Sequence, residues 1–568
     1  MSADRPQDWQ EHWAARKDAF ADECRAARAA LLADLAEPRA AQLRVLDDIL
    51  AVSTDSLHWR EEGYSVPPSD PDAFRATLPL MRYEDFAELI ERETRTKGGT
   101  LSCSPVPRWL KTSGTTGTPK RIPYSLHWME RYRNTALQAL WGTYLEYCPE
   151  LVAGPYATLD TQTVREEGGE FVQGAEFQAV TNRHPRLSGL DWHAPWHEAP
   201  WFGLDVPTAH ERRMYHRLRH LLGKDVRFIS AINPSTLVSL RDLLAANGDR
   251  LAKDLRDGTV EGRPHSGAEA DPDTADRLER VLADPDFALT DIWPGLRLYT
   301  CWMSASTRLY QTKLDALFPG VAKVPFMSCG SEAVTAIPVD ATEHSQPLAV
   351  NQGFYEFVPA DVPLGDLLAA GRGDEVRTLL CDELEPGREY HLITSQANGL
   401  YRLWYGDIYH VDEMAGGVPW LHLVRRDGVF HSFTGEKLTE AHVTQALEQG
   451  FAALGLELGL YMCGPRWGEP PSYTVLVETG DGHGVPDDRV SARIDRELCA
   501  VNSEYASKRD SARLGPIEVI TVPTDRITAY VESRRQAGNA TQYKYKPFQR
   551  DTDFVARIIG ERPGAGRA

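Results

Sequence analysis

A short run of hydroxyl, glycine and lysine residues carries the densest chemistry in this 568-residue sequence. The run is KTSGTTGTPK at positions 111–120, and its chemically useful members are Ser113, Gly114, Thr115, Thr116, Gly117 and Lys120. Glycines let a backbone approach a ligand so that its N–H groups face an anion, and hydroxyls add donors that need no charge. With the ammonium group of Lys120, the run predicts a loop that holds a polyphosphate.

The spacing excludes the usual P-loop of nucleotide triphosphatases. That motif needs a glycine directly before its lysine, and this sequence has Pro119 there. The remaining alternative is a polar surface loop, which the density of hydroxyls and the closing Pro-Lys pair disfavour.

The overall charge limits the partners of this protein. The net charge is −20, which repels phosphates at long range and argues against nonspecific binding to nucleic acid or anionic lipid. No apolar stretch approaches the roughly 18 residues of a membrane span, and the start, MSADRPQDWQEHW, lacks the apolar core of a signal peptide. We therefore expect a cytoplasmic protein with small-molecule partners and with neither a nucleic acid nor a membrane partner.

The eight cysteines are scattered and include no Cys-x-x-Cys pair. This spacing disfavours both a zinc–thiolate site and a disulfide framework. Reduced, mostly buried thiols are the expected state.

Periodicity predicts an α/β protein of two domains. Phe20, Cys24, Ala27, Leu31 and Leu35 lie on one face of a helix, and strand-like runs at 225–232 and 296–301 alternate with helical stretches. The last 140 or so residues form a separate pattern, in which helix-like and strand-like stretches alternate. We predict a large N-terminal domain over residues 1–427, with β-sheets flanked by helices, and a small α+β domain over residues 428–568, which the family resemblance described below implies is mobile.

Two local expectations belong to this pattern. The segment 264–276 is rich in Pro, Gly and Asp, which predicts an exposed loop. Val490, Ile494, Leu498, Val501 and Tyr505 recur at helical spacing, which predicts one continuous helix.

Several stretches together resemble one enzyme superfamily. TSGTTGTPK resembles the phosphate-binding loop of adenylate-forming enzymes, residues 296–333 resemble their adenine and substrate pocket, and GLYRLWYGDIYHV resembles their ribose-binding segment. Within that superfamily, the chain is most similar to the Gretchen Hagen acyl acid amido synthetases of the auxin- and jasmonate-conjugating type. The similar stretches are LPLMRYEDFAELIER, DIWPGLRLY, FYEFVP, GEKLTEAHVTQAL and TQYKYKPFQ.

The resemblance implies an ATP-dependent ligase with Mg²⁺ as its metal. Such an enzyme would turn a carboxylic acid into an acyl-adenylate, release pyrophosphate, and transfer the acyl group to an amine, most naturally an amino acid. An alternative keeps the adenylate but passes the acyl group to coenzyme A or a carrier-protein thiol. A further alternative is a non-catalytic nucleotide-binding protein that kept the fold.

The resemblance also implies roles for individual residues. Ser113, Gly114, Thr115, Thr116, Gly117 and Lys120 would bind the β- and γ-phosphates. Glu332 would bind magnesium near the α-phosphate, and Asp407 would accept hydrogen bonds from the ribose hydroxyls. Lys544 would contact the reacting oxygens as the catalytic lysine, with Lys546 as its alternative.

Other positions of the implied nucleotide site are less sharply defined. Arg426 would lie near the ribose, with Arg425 as a competitor for that role, and Asp427 would be the hinge. Ser304 and Ala305 would line one side of the adenine. Ser328 stands where the family usually has an aromatic residue, so the group that stacks on adenine is not identified. His422 and His431 flank the predicted domain junction, where a metal site is an alternative to ordinary hydrogen-bonded histidines.

Overall fold

The structure is a computed structural model, and it describes most of the chain. The described residues are 9–112, 120–153, 157–158, 164–167, 170–173, 178–181, 210–232, 234–265, 268–303, 310–342, 344–427, 429–479, 487–523, 526–527, 529–530, 547–549 and 552–559. They fall into two compact units, an N-terminal unit that ends at Asp427 and a C-terminal unit beyond it.

The N-terminal unit mixes helices with several sheets, as predicted for an α/β fold. Its helices are α1 (Trp9–Ala36), α2 (Pro38–Ser53), α3 (Leu57–Glu62), α4 (Pro71–Thr77), α5 (Ala87–Thr96), α6 (Leu126–Trp128), α7 (Asn134–Tyr147), α8 (His210–Leu221), α9 (Pro234–Asp257), α10 (Pro272–Leu282), α11 (Leu289–Ile292), α12 (Gln311–Leu317) and α13 (Leu364–Ala369). Its strands are β1 (Met81–Arg82), β2 (Arg108–Thr112), β3 (Lys120–Tyr124), β4 (Ala157–Thr158), β5 (Val164–Glu167), β6 (Glu170–Gln173), β7 (Gln178–Thr181), β8 (Phe228–Ser230), β9 (Thr259–Val260), β10 (Arg263–Pro264), β11 (Leu298–Thr300), β12 (Ala322–Lys323), β13 (Ser328–Cys329), β14 (Val334–Ala336), β15 (Gln346–Pro347), β16 (Phe354–Pro359), β17 (Glu389–Ser395), β18 (Leu403–Ala415) and β19 (Val418–Arg426).

Three sheets organise this unit. The largest has the order β15-β19-β18-β17-β16, with β1 added in parallel to β18. A parallel sheet has the order β12-β11-β8-β4, and an antiparallel sheet has the order β3-β2-β7-β6-β5. The parallel sheet contains both strands that the sequence predicted in the middle of the chain.

Two apolar cores hold the unit together. One core joins α2 and α5 to the strands of the largest sheet, and Ile49, Phe354 and Leu392 are among its fully buried members. The other packs α1 against α7, with Phe20, Cys24 and Leu31 contributed by the face of α1 that the sequence predicted. Burial of such side chains contributes roughly 1.5–3 kcal/mol each, which is why these long helices keep their positions.

The C-terminal unit is a small α+β assembly with its own core. Its strands are β20 (Val429–His431), β21 (Leu438–Thr439), β22 (Tyr461–Arg466), β23 (Ser472–Thr479) and β24 (Glu518–Pro523), and its helices are α14 (Glu440–Leu454), α15 (Asp487–Val501), α16 (Ser503–Asp510) and α17 (Phe554–Ile559). The sheet order is β22-β23-β24, and α14 and α15 bury Leu447, Phe451 and Ile494 against it.

Two local expectations were wrong in part. Helix α10 begins at Pro272 within the predicted loop, because the side chain of Asp271 accepts a hydrogen bond from the backbone of Thr274 and caps the helix. The predicted single helix is two helices, because Asn502 interrupts the pattern and its side chain caps α16 through the backbone of Tyr505. In both places a short polar side chain that satisfies a backbone N–H sets the start of a helix, against the loop composition at Asp271 and against the apolar period at Asn502.

The cysteines behave as the sequence predicts. All eight are free of disulfides. Burial raises the pKa of Cys24 to about 12 and of Cys148 to about 11, so these thiols stay protonated. A separate property concerns membranes: within the described part of the chain, no helix combines the length and the apolarity needed to cross one.

Candidate active site

The hairpin of β18 and β19 positions the central residues of the candidate site. Gly416 and Gly417 form its tight turn with φ angles of 60° and 83°, a left-handed backbone that glycine adopts without strain. Between the turn and the site, the register contains two irregularities. Val424 has no directly opposed residue on β18, and Asp412 has none on β19.

The two bulges compensate each other. One extra residue on each strand restores the original register, so Asp407 lies directly opposite Arg426. Side chains alternate along a strand, so Asp407, Tyr409 and Val411 share one face of the hairpin, which we call the core face. The opposite face, called the outer face, carries His410, and His422 lies directly opposite it.

An ion pair lies at the end of the core face. The Nε atom of Arg426 is 3.2 Å from Oδ1 of Asp407, and it donates a hydrogen bond of 2.9 Å to the backbone oxygen of Tyr405. The guanidinium carbon also lies over the Tyr405 ring, 5.7 Å from its centroid. These contacts hold Arg426 and orient Asp407 while both side chains keep limited access to solvent.

Glu332 joins this ion pair from another part of the chain. It lies between β13 and β14, and only 7% of the residue is exposed. Its Oε1 atom is 4.0 Å from Nη2 of Arg426, and its Oε2 atom accepts a 2.6 Å hydrogen bond from the Ser331 hydroxyl. Arg426 therefore connects two carboxylates that the sequence places far apart.

Three tyrosines surround the carboxylates. Burial, the neighbouring Tyr409 and the charge of Asp407 raise the pKa of Tyr405 far above its usual range. Burial and Asp407 likewise raise the pKa of Tyr409. Burial raises the pKa of Tyr83, with the charge of Glu332 as a further cause. All three stay neutral hydroxyls at physiological pH, chiefly because they are buried, with Asp407 or Glu332 as a further cause.

Lys120 contacts Tyr83, whose pKa is affected by the charge of Glu332. Its ammonium nitrogen lies 4.8 Å from the centroid of the Tyr83 ring and 3.1 Å from Oε1 of Glu84. The Tyr83 hydroxyl donates to the backbone oxygen of Arg121, which fixes the ring beside β3. Lys120, the last residue of the predicted loop, therefore lies over the ring of Tyr83, and Glu332 is one of the groups that raise the pKa of that tyrosine.

Ser328 lies next to the cluster and is engaged within the protein. Its hydroxyl is 3.0 Å from the hydroxyl of Tyr409, and its backbone N–H donates to the side chain of Gln346. Its proposed contact with the nucleotide base stays a prediction.

Several predicted site residues lie outside the described part of the chain. These are the loop residues Ser113, Gly114, Thr115, Thr116 and Gly117, the base-lining Ser304 and Ala305, and Lys544 with its alternative Lys546. Pro523 and Thr524 predict the start of a helix that Gly538 could end, and most of those residues lie outside the described part of the chain.

The structure adds residues that sequence reasoning did not assign. Tyr405 and Tyr409 flank Asp407 at a spacing of two, so strand periodicity was the signal that could have found them. Arg133, in the helical turn before α7, has a fully buried Nη1 atom with no hydrogen-bond acceptor among the residues that the structure describes. Burial lowers the pKa of Arg133, but neighbouring Tyr124 and Cys329, the latter in β13, raise it by more. No sequence pattern pointed to this arginine.

Comparison with known proteins identifies the family. The N-terminal domain of the GH3 family matches residues 27–323, its central domain matches residues 346–426, and its C-terminal domain matches residues 441–553. The chain belongs to the GH3 family. This confirms the resemblance to acyl acid amido synthetases within the adenylate-forming superfamily.

Individual relatives agree with this assignment. The chain is 26% identical over 514 residues to an indole-3-acetic acid-amido synthetase of Oryza sativa subsp. indica, covering 85% of this chain and 83% of the relative. It is 22% identical over 543 residues to an indole-3-acetic acid-amido synthetase of Arabidopsis thaliana, covering 89% of this chain and 88% of the relative.

A solved structure supports the fold. An acyl acid amido synthetase named AtGH3.15 superimposes with a TM-score of 0.56 at 17% identity, covering 94% of this chain and 96% of that one. As a GH3 protein, the chain is an acyl-adenylate-forming ligase that joins an acid to an amine.

Proposed function

We propose that this GH3 protein uses ATP and Mg²⁺ to adenylate a small carboxylic acid and then forms an amide with an amino acid. The observation that carries the proposal is the partly buried arrangement in which Arg426 links Asp407 at 3.2 Å to Glu332 at 4.0 Å. Two carboxylates and one guanidinium form the kind of network that positions a nucleotide and its metal, since adenylyl transfer depends on alignment and charge neutralisation.

The donor set of the cluster fits a magnesium ion. Magnesium takes oxygen ligands and is held in proteins through one or two carboxylates together with substrate phosphates. Glu332 offers such a carboxylate, and the hydroxyl of Ser331 fixes one of its oxygens. When bound, the ion would neutralise phosphate charge.

Asp407 and Arg426 would hold the nucleoside part of ATP, which is a substrate of the reaction. Asp407 would accept hydrogen bonds from the ribose hydroxyls, because its carboxylate is fixed at one oxygen by Arg426 and stays partly accessible. Lys120 and the loop before it would hold the terminal phosphates through charge and backbone donors.

These groups would favour attack by the acid on the α-phosphorus. A carboxylate oxygen forms a bond to that phosphorus while the bond to pyrophosphate breaks, so the leaving group carries away the electrons. The amine then attacks the acyl carbonyl carbon, and AMP leaves with the electrons of the acyl–oxygen bond. Lys544, carried by the C-terminal domain, would stabilise the negative charge that develops during the first step.

Arg133 is our candidate for the residue that attracts the acid. A buried guanidinium nitrogen without an acceptor is costly, and a substrate carboxylate would satisfy it with a charge-assisted hydrogen bond. The relatives named for indole-3-acetic acid make arylacetic acids the first substrates to test.

The deciding experiment is acid-dependent exchange of labelled pyrophosphate into ATP, measured over a panel that starts with arylacetic acids. We expect exchange that requires both Mg²⁺ and one class of acid. We expect Glu332→Gln to raise the Mg²⁺ requirement at least tenfold. Glu413→Gln is the matched control, because Glu413 is an exposed carboxylate on β18.

Product mass then separates the possible acceptors. Incubation with an amino acid mixture should give an acyl amino acid and AMP, while coenzyme A should give no thioester. A thioester product, or exchange that is the same in Glu332→Gln and Glu413→Gln, would contradict the proposal.

A further inference from the structure

The outer face of the β18–β19 hairpin carries a second cluster of metal-ligating side chains. One possible ligand atom from each of His344, Asp412 and His422 lies within 4.8 Å of the other two. The cluster joins three neighbouring strands of the largest sheet, because His344 precedes β15, Asp412 lies on β18 and His422 lies on β19. It is separate from the Asp407–Arg426 ion pair, which occupies the core face.

Asp412 lies at one of the two bulges of the hairpin. Val411 pairs with Leu421 and Glu413 pairs with Trp420, so Asp412 is the extra residue between them. Asp412 is two residues from His410, so alternation along the strand places its carboxylate on the same outer face. Its Oδ2 atom lies 2.8 Å from Nδ1 of His422.

A third imidazole lies beside the first two. His410 has its Nε2 atom 3.9 Å from Oδ1 of Asp412, and its ring centroid is 5.4 Å from that of His422. The ring of His344 meets His422 edge to face at 5.0 Å. Three imidazoles therefore lie close to the carboxylate of Asp412.

The chemistry of these donors differs from that of the core face. Imidazole nitrogens together with one carboxylate suit zinc and similar transition metal ions, whereas magnesium prefers oxygen ligands. Ligands of a tetrahedral zinc ion lie roughly 3.3 Å apart, given zinc–ligand distances near 2.0 Å, so small side-chain rotations would close the observed spacing. The exposed fractions of 12% for His422 and 27% for Asp412 leave a path for the ion.

We propose that His344, Asp412 and His422 bind one divalent transition metal ion of the zinc type, as a clip across three strands of the largest sheet. The clip acts on the strand pair that also carries the candidate active site.

The test is metal binding by the full-length chain without a histidine tag, after removal of bound metal with a chelator. Co²⁺ is titrated in excess Mg²⁺, so that oxygen-rich sites are filled, and its visible absorption reports coordination by nitrogen. Zn²⁺ affinity is measured by calorimetry in parallel. We expect one ion per chain, and an affinity at least tenfold lower in His344→Gln, Asp412→Asn and His422→Gln.

The matched control is His127→Gln. His127 also contacts a carboxylate, with its Nε2 atom 2.7 Å from Oδ2 of Asp48, but it is not part of the His344 cluster. We expect this variant to bind Co²⁺ and Zn²⁺ as the unmodified protein does. His344 lies before β15 and not within a strand, so His344→Gln remains informative if the Asp412 and His422 variants fail to fold. Circular dichroism of each variant without metal checks that it is folded.

The expected thermal signature is a rise in Tm when Zn²⁺ is added to the unmodified protein and to His127→Gln, with no rise in the three cluster variants. The proposal would be overturned by an unmodified protein that binds neither ion. It would equally be overturned by cluster variants that fold and bind both ions with unchanged affinity.

Discussion

The two faces of the β18–β19 hairpin carry charged and titratable residues in different arrangements. On the core face, Arg426 holds Asp407 and reaches Glu332, and the surrounding tyrosines are buried. On the outer face, Arg425 pairs with Glu389, and His410 and His422 lie around Asp412 with partial exposure. One face links two carboxylates through an arginine, and the other gathers imidazoles around one carboxylate.

The difference shows how one pair of strands can serve two kinds of ligand. Charges buried beside apolar groups interact strongly but must be satisfied from all sides, which suits a site that orients a substrate. Partly exposed imidazoles cost little when the ligand is absent, which suits reversible metal binding. The four predictions that follow test this contrast.

The largest expected effect belongs to Asp407→Asn. The change removes the charge that faces Arg426 and the proposed acceptor of the ribose hydroxyls, so acid-dependent pyrophosphate exchange should fall by about a hundredfold or more. Glu413→Gln on the same strand should change exchange less than about threefold, because an exposed surface charge contributes little. Equal exchange rates in the two variants would remove Asp407 from the site.

A difference in stability should separate the two neighbouring arginines. Arg426→Ala leaves Asp407 and Glu332 without their shared partner, so the free energy of unfolding should fall by about 2 kcal/mol, less than for a fully buried pair because Arg426 keeps some exposure. Arg425→Ala breaks a more exposed pair with Glu389 and should cost less than about 1 kcal/mol. Urea unfolding measures both, and the reverse ranking would show that Arg425 holds the more important position.

A smaller effect is expected from Gly330→Ala. A β-carbon at this position would lie 2.8 Å from Oε2 of Glu332, so the carboxylate must shift. We expect the Mg²⁺ concentration that supports half-maximal exchange to rise by a few fold, with Tm nearly unchanged. If the Mg²⁺ dependence stays the same, the position of that oxygen is not important for the metal.

The smallest expected effect concerns the turn that sets the register of both faces. Gly416 has a φ of 60°, so Gly416→Ala should lower the free energy of unfolding by roughly 1 kcal/mol through backbone strain. Exchange activity and Co²⁺ binding should both survive at temperatures well below the transition. Selective loss of only one of them would show that the two faces do not depend on the turn in the same way.

Much of the local structure followed from the sequence. The apolar period of α1 predicted the residues that pack against α7, and the strand-like runs at 225–232 and 296–301 predicted β8 and β11. The predictions were wrong in part at Asp271 and Asn502, where a capping side chain decided a helix end. Resemblance singled out Asp407 and Glu332, but it gave no sign of Tyr83 or Arg133, whose importance depends on neighbours far along the chain.

By itself, the sequence determined much of the pattern of helices and strands and the two-part α/β design, because these depend on local spacing and residue type. It could not determine which side chains share a face of the hairpin. Arg426 and His422 are four residues apart and would lie on the same face of a regular strand, but the bulge at Val424 places them on opposite faces. The tertiary structure decided this, because strand register is set by pairing and packing between distant segments rather than by the residues of one strand.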